Sequence, residues 1–207
     1  MAAVAKPFGL APVRTMDANN FNQAGTRYYI PQANASAFYI GDTVISAANA
    51  DANGVPAIAK AIGTSTVRGV IIGFEPAQVN AVSLVGASLT LENTAIPATK
   101  TQDYYAFVVD DPGVMFMAQD DGITTASLVA ANANKNTSLT ITAGATLQSA
   151  SGTVILSSSI ATTQGLSWRL VGLAQTLNQG QTNAFGGFGL WLIKANQHEL
   201  GGNTAGI

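Results

Sequence analysis

The stretch that decides the fold is Tyr104-Tyr105-Ala106-Phe107-Val108-Val109-Asp110-Asp111-Pro112-Gly113-Val114-Met115-Phe116-Met117-Ala118-Gln119. Two runs rich in aromatic, β-branched and other apolar residues flank a block of turn formers. Such runs, bounded by Asp, Pro and Gly, read as strands. Pro112 presets one backbone angle of a turn, and Gly113 accepts geometries that other residues avoid. The spacing predicts a β-hairpin, with Asp110-Asp111 and Asp120-Asp121 at its two ends.

The same pattern continues on both sides. Tyr28-Tyr29-Ile30 run into Pro31, and Phe38-Tyr39-Ile40 run into Gly41-Asp42, followed by Val44-Ile45. Ala47 to Pro56 reads as a polar loop and Ile58 to Ile62 as a weak strand. Val67 to Phe74 is a strong strand closed by Pro76, with Arg68 exposed or at an edge. Val82 to Glu92 alternates loosely. Beyond the central stretch, Leu139-Thr140-Ile141-Thr142 alternates as a half-buried strand does. Gly144 to Gly165 is a long excursion holding one short strand at Val154-Ile155-Leu156. Trp168 to Leu177 and Phe188 to Lys194 are the last strands, joined by Gln179 to Gly187. A helical turn is expected only at Thr124 to Ala131, ended by Asn132 and Asn134. No solenoid period exists. The expectation is a mainly β chain: a single β-sandwich or β-barrel-like domain.

Three regions divide the chain. Residues 1–25 contain Pro7, Gly9, Pro12, Gly25 and Asn19-Asn20, which oppose regular structure. Yet Phe8, Leu10, Val13, Met16 and Phe21 make the segment too apolar for a disordered tail. It reads as an extended, mildly basic N-terminal arm that orders against its own domain or a partner. Its removal is expected to leave the rest folded. Residues 26–195 form the β-rich body. Residues 196–207 are a polar, Gly-rich tail, expected to order only on contact.

Of the 207 residues, 10% are charged and 47% hydrophobic, and none is Cys. An average soluble domain carries roughly 25% charged residues. A lone globule uses charge to stay apart from its neighbours, so this composition suits a surface that meets other protein. Closed rings hide such faces, and self-association is expected. A net charge of −2 argues against nucleic acid and anionic lipid as partners. Apolar runs such as Val70-Ile71-Ile72 fall far short of the ~20 residues a membrane helix needs. Lys6, Pro7 and Pro12 interrupt the apolar run of a secretion signal. Without Cys there is no disulfide, Cys-based zinc site, iron–sulfur cluster or thiol nucleophile.

The residues that do carry chemistry are sparse. Adjacent acids on a strand point to opposite faces, so Asp110-Asp111 and Asp120-Asp121 read as turn acids, not catalytic dyads. A Ca²⁺ site between the two pairs is the minor alternative. His198-Glu199 lacks a second His for a metal set and reads as part of an exposed tail. Gly186-Gly187-Phe188-Gly189 has no Lys and no following helix, so it is not a phosphate cradle. It reads as the start of a strand where backbones approach closely. Trp168 and Trp191 are core or interface anchors, with a sugar platform as the competing reading. No enzyme, cofactor or metal is expected.

Lys6-Pro7-Phe8-Gly9-Leu10-Ala11-Pro12-Val13-Arg14, then Tyr28-Tyr29-Ile30-Pro31 and Phe38-Tyr39-Ile40-Gly41-Asp42, resemble structural proteins of tailed-phage heads. Val109-Asp110-Asp111-Pro112, Leu170-Val171-Gly172-Leu173 and Trp191-Leu192-Ile193-Lys194-Ala195-Asn196-Gln197-His198 follow in the same order. The family that this sequence resembles is that of capsid cement, or decoration, proteins. The resemblance implies a protein made in the host cytoplasm that binds outside the virion's shell of major capsid protein and locks neighbouring capsomers, and the three-fold positions of such a shell make a homotrimer the expected self-association. Phe8, Leu10, Arg14 and Phe21 are then the expected arm contacts, joined by Tyr28 and Tyr29. The alternative is a glycan- or receptor-binding head or tail module using the tryptophans.

Overall fold

The structure, a computed structural model, describes residues 5–17, 19–76, 95–123, 128–142, 144, 150–174 and 183–201. Fourteen strands are described: β1 (Ala11–Thr15), β2 (Thr26–Ile30), β3 (Phe38–Tyr39), β4 (Thr43–Ala50), β5 (Pro56–Lys60), β6 (Gly69–Pro76), β7 (Ala95–Ile96), β8 (Tyr104–Val109), β9 (Val114–Gln119), β10 (Asn136–Thr137), β11 (Leu139–Thr140), β12 (Val154–Ile155), β13 (Trp168–Leu173) and β14 (Leu190–Ala195). The chain is mainly β, as its alternation and turn residues predict. Strands β2-β5-β4-β6-β8 close into a barrel, and β1-β9-β14-β13-β10 form a five-stranded sheet. Two short ribbons, β3 with β7 and β11 with β12, complete the pairing.

The central stretch forms both expected strands, but not a hairpin. β8 pairs with β2 and β6 in the barrel. β9 pairs with β1 and β14 in the open sheet. The turn itself is present: Val114 N–H donates to Asp111 O at 3.1 Å, and Gly113 N–H to Asp111 Oδ1 at 2.7 Å. Pro112 is its second residue, and a proline ring holds φ negative. Two-residue hairpins favour turns with φ positive at that position, because the unprimed types splay the flanking strands. Here the splayed strands enter different sheets.

Period-two alternation then sorts side chains between two cores. Ile71 and Val108 lie opposite each other and point into the barrel with Tyr28, Ile30, Phe38, Val44, Ile58, Ile96 and Ala106. Their neighbours Val70 and Val109, also opposed, point outward. They join Val114, Phe116, Ala118, Trp168, Leu170, Trp191 and Ile193 beneath the open sheet. Phe116 and Trp168 meet edge-on, with ring centroids 5.8 Å apart. The barrel wall is therefore also one side of the second core.

The N-terminal segment is not an arm extended from the body. Leu10 is 2% exposed and belongs to the sheet core, and β1 is a strand of that sheet. Gly9 and Gly41 take φ of +74° and +88° where the two backbones cross. A Cβ on Gly9 would lie 2.6 Å from Gly41 O, and one on Gly41 2.6 Å from Phe8 O. Leu10 N–H donates to Gly41 O across this crossing at 3.0 Å. Asp42, fully buried, accepts from Tyr39 N–H and pairs with Lys60 at 2.8 Å, which fixes the adjacent turn.

The start of the tail is also bound. Val67 N–H donates to Gln197 O at 3.1 Å, and Glu199 N–H donates to Val67 O at 2.9 Å. His198 is 6% exposed, not on an open tail. β4 runs on through Ala47 to Ala50, where a polar loop was expected. The alternation at 82–92 lies outside the described residues. So do residues 124–127 of the expected helix, whose end is a single 3-10 turn at Ala130–Asn132.

Candidate functional site

The expected contact residues scatter. Phe8 is half-buried and Arg14 is exposed. Phe21 is half-buried against the sheet core. Tyr28 is 1% exposed, and Tyr29 is half-buried with its ring 5.8 Å from that of Tyr105. Leu10 and Tyr28 are thus covered by this chain itself, which removes them as side-chain contacts to a partner in this fold. The reason is register: Tyr28 is an inward position of β2, and Leu10 falls where the chain drops beneath the sheet.

Tyr28 instead centres a polar cluster drawn from distant parts of the chain. Arg68 Nε–H donates to Tyr28 Oη at 2.6 Å, and Tyr28 O–H donates to Asp110 Oδ2 at 2.7 Å. Thr26 donates to the other Asp110 oxygen at 2.9 Å. Arg68 reaches Asp110 at 3.9 Å and Glu199 at 3.8 Å. Glu199 in turn accepts from Ser46 N–H at 2.9 Å and from the Ser46 hydroxyl. Burial, then the Asp110 contact, pushes the Tyr28 phenol up to about 12. It stays protonated at physiological pH and serves as donor and acceptor, not as a base. Burial, then the nearby Arg68, holds His198 below its ordinary range. The cluster ties β2, the region before β6, the β8–β9 turn and the C-terminal segment together. Its geometry is that of a staple.

The second acidic pair does similar work. Asp120 is 1% exposed, and its carboxylate accepts from the backbone N–H groups of Gly122, Phe188 and Gly189. Burial raises its pKa, against the pull of those three donors. Asp121 accepts from the backbone N–H and hydroxyl of Ser157, the latter at 2.6 Å. Each acid secures a loop. Among the described residues, no three of His, Asp and Glu gather as a metal-ligand set.

Trp168 and Trp191 are 1% and 0% exposed, so neither indole face is open to a sugar. Gly186 to Gly189 leads into β14, and a Cβ on Gly187 would lie 3.1 Å from Gly122 O, the close backbone approach expected. Two hollows remain. One, of about 490 Å³, lies between residues 15–26 and the β8–β9 turn. The other, of about 290 Å³, lies beside the C-terminal segment and includes Arg169 and Lys194. Sequence reading missed the Arg68–Tyr28–Asp110 chain because its members are 40 and 82 residues apart. The only local sign was an arginine inside an otherwise apolar strand. Comparison of the chain with family models, curated proteins and solved structures gave no match.

Proposed function

We propose that this chain is a non-enzymatic phage virion protein that binds the outside of the capsid and cements neighbouring major capsid subunits. The reading rests on the ordered resemblance along the sequence. One structural observation carries it further. The acids that were candidates for chemistry are committed to holding backbone and neighbouring side chains. Large apolar side chains, by contrast, stand out in water: Met16 is 58% exposed, Ile62 69%, Phe185 50% and Leu200 51%. In a chain with 10% charged residues, such a surface favours contact area over catalysis. Many copies on a symmetric shell multiply a modest affinity for each copy.

The test compares particles made with and without this protein. Imaging is expected to show density on the outer shell that disappears with the gene, and a lower temperature of genome release without it. Density on the tail, or equal heat resistance with and without the protein, overturns the reading. The glycan-binding alternative has lost the tryptophan platform it depended on.

A further inference from the structure

One face of the five-stranded sheet covers the core through Phe116, Trp168, Trp191 and Ile193. The opposite face carries the buried Met115 and the half-buried Met117, Leu190 and Leu192. Strand register also draws one row of charge across that face. Arg14 lies opposite Met115, Met115 opposite Lys194, Lys194 opposite Arg169, and Arg169 opposite Asn136. Directly opposed residues of antiparallel strands project to the same side with Cβ atoms about 4.5–5.5 Å apart. Lys194 and Arg169 are therefore like charges side by side, with Arg14 further along the row. Three of the nine Lys and Arg residues stand in this row.

Elsewhere in the described structure Arg27 meets Glu75, Lys60 meets Asp42, and Arg68 meets Asp110 and Glu199, while the buried Lys100 donates to the backbone carbonyls of Asn34 and Ser36. Among the described residues, no acid lies within ion-pair distance of Arg14, Arg169 or Lys194. Arg169 is nevertheless held in place. Its Nε–H donates to Asn136 Oδ1 at 3.0 Å, and the Asn136 amide is itself anchored on Thr163 O at 3.0 Å. Lys194 Nζ lies 3.6 Å from Met16 Sδ. Arg169 and Lys194 open onto the hollow of about 290 Å³, with Pro112, Asn196, Gln197 and His198 around it.

We propose that this face docks an acidic protein surface, with a partner Asp or Glu carboxylate received between Arg169 and Lys194. Like charges held opposite each other destabilise the free sheet, and a bound carboxylate relieves that repulsion. A fixed guanidinium suits a carboxylate's paired oxygens. The surroundings favour protein over nucleic acid. The rest of the face is methionine and leucine, no Phe, Tyr or Trp stands among the row or its named neighbours, and the ring of His198 beside the hollow is only 6% exposed, which leaves no open platform for a base to stack on. The inference deepens the capsid reading by naming the face that meets the shell, and rests on it for the partner's identity.

The test titrates the isotope-labelled full chain with N-acetyl octaglutamate at low ionic strength. Amide shifts are expected at Arg14, Arg169, Lys194 and their neighbours. Replacing Arg169→Gln together with Lys194→Gln is expected to weaken binding roughly tenfold or more. The variant loses a repulsive pair but also the Arg169–Asn136 hydrogen bond, so a thermal melt first establishes that it folds; if it does not fold, Lys194→Gln alone carries the comparison. No shifts along the row, or undiminished binding by the variant, overturns the proposal. Tighter binding of an oligothymidylate of equal charge overturns it in favour of nucleic acid. Adding both proteins to particles that lack this chain separates the two readings. Attachment of wild type but not of the variant supports both. Attachment of both proteins overturns the docking face and leaves the capsid reading standing. Attachment of neither, with octaglutamate bound along the row, overturns the capsid reading and leaves an acid-binding face.

Discussion

Tyr28 shows how a single residue's role follows from its place on a strand. Its ring fills the barrel core, while its hydroxyl reaches the rim between Arg68 and Asp110. Tyr28→Phe keeps the ring and removes both hydrogen bonds. It should lower stability by about 1–3 kcal/mol, since two charged groups lose a buried partner. Urea denaturation measures this; a change below about 0.5 kcal/mol, the usual range for surface substitutions, would show that the cluster is no staple. His198 gives a pH signature. Burial and Arg68 hold its pKa below 6.5, against the attraction of Asp110 and Glu199. As pH falls, the unfolded chain therefore takes up this proton before the folded chain does. The resulting stabilisation is complete above about pH 6.5 and is lost as pH falls through the folded value. Stability of His198→Gln should therefore fall less steeply than wild type below that pH. Parallel curves from thermal melts in a buffer series would refute this assignment.

At the scale of elements, β1 and β9 carry the main departures from expectation. An arm was expected because Pro7, Gly9 and Pro12 forbid a helix and interrupt a strand. β1 nevertheless forms after Leu10, with a register shift between Pro12 and Arg14 that absorbs the irregularity. Leu10→Ala should cost about 2–5 kcal/mol, the range for a buried leucine. Deleting residues 2–24 should lower the melting temperature further, because it also strips β1 from β9. An unchanged melting temperature in either variant would restore the picture of a detachable arm. The β8–β9 turn teaches a related point. Its strands and its turn were legible from local chemistry, but a turn specifies only reversal. Both runs are apolar on both faces, so each can be a central strand, and Pro112 disfavours the turn geometry that would keep them together.

At the scale of the whole molecule, the barrel and the open sheet are joined by a shared core, so exposed faces rather than internal hinges are what remain for partners. On the capsid reading, we propose that copies associate as a closed trimer, because the exterior carries little charge and a shell offers three-fold positions. Sedimentation of the free protein and the arrangement of copies on particles both bear on it. Isolated copies on the particle, making no contact with one another, would refute it.

What the sequence determined by itself is the class of fold and most of its pieces. β-branched and aromatic runs between Gly, Pro and Asp make strands wherever they fall, and Asp111 and Asp120 bind the amides of Gly113 and Gly122 two residues on. These are effects of neighbours in the chain. Only the tertiary structure decided which strands pair, and with them every feature that joins distant residues. These are the Gly9–Gly41 crossing, the chain from Arg68 through Tyr28 to Asp110, and the basic row of Arg14, Lys194 and Arg169. Pairing between distant strands depends on which apolar faces can be buried together. Runs that are apolar on both faces leave that choice open until the cores assemble.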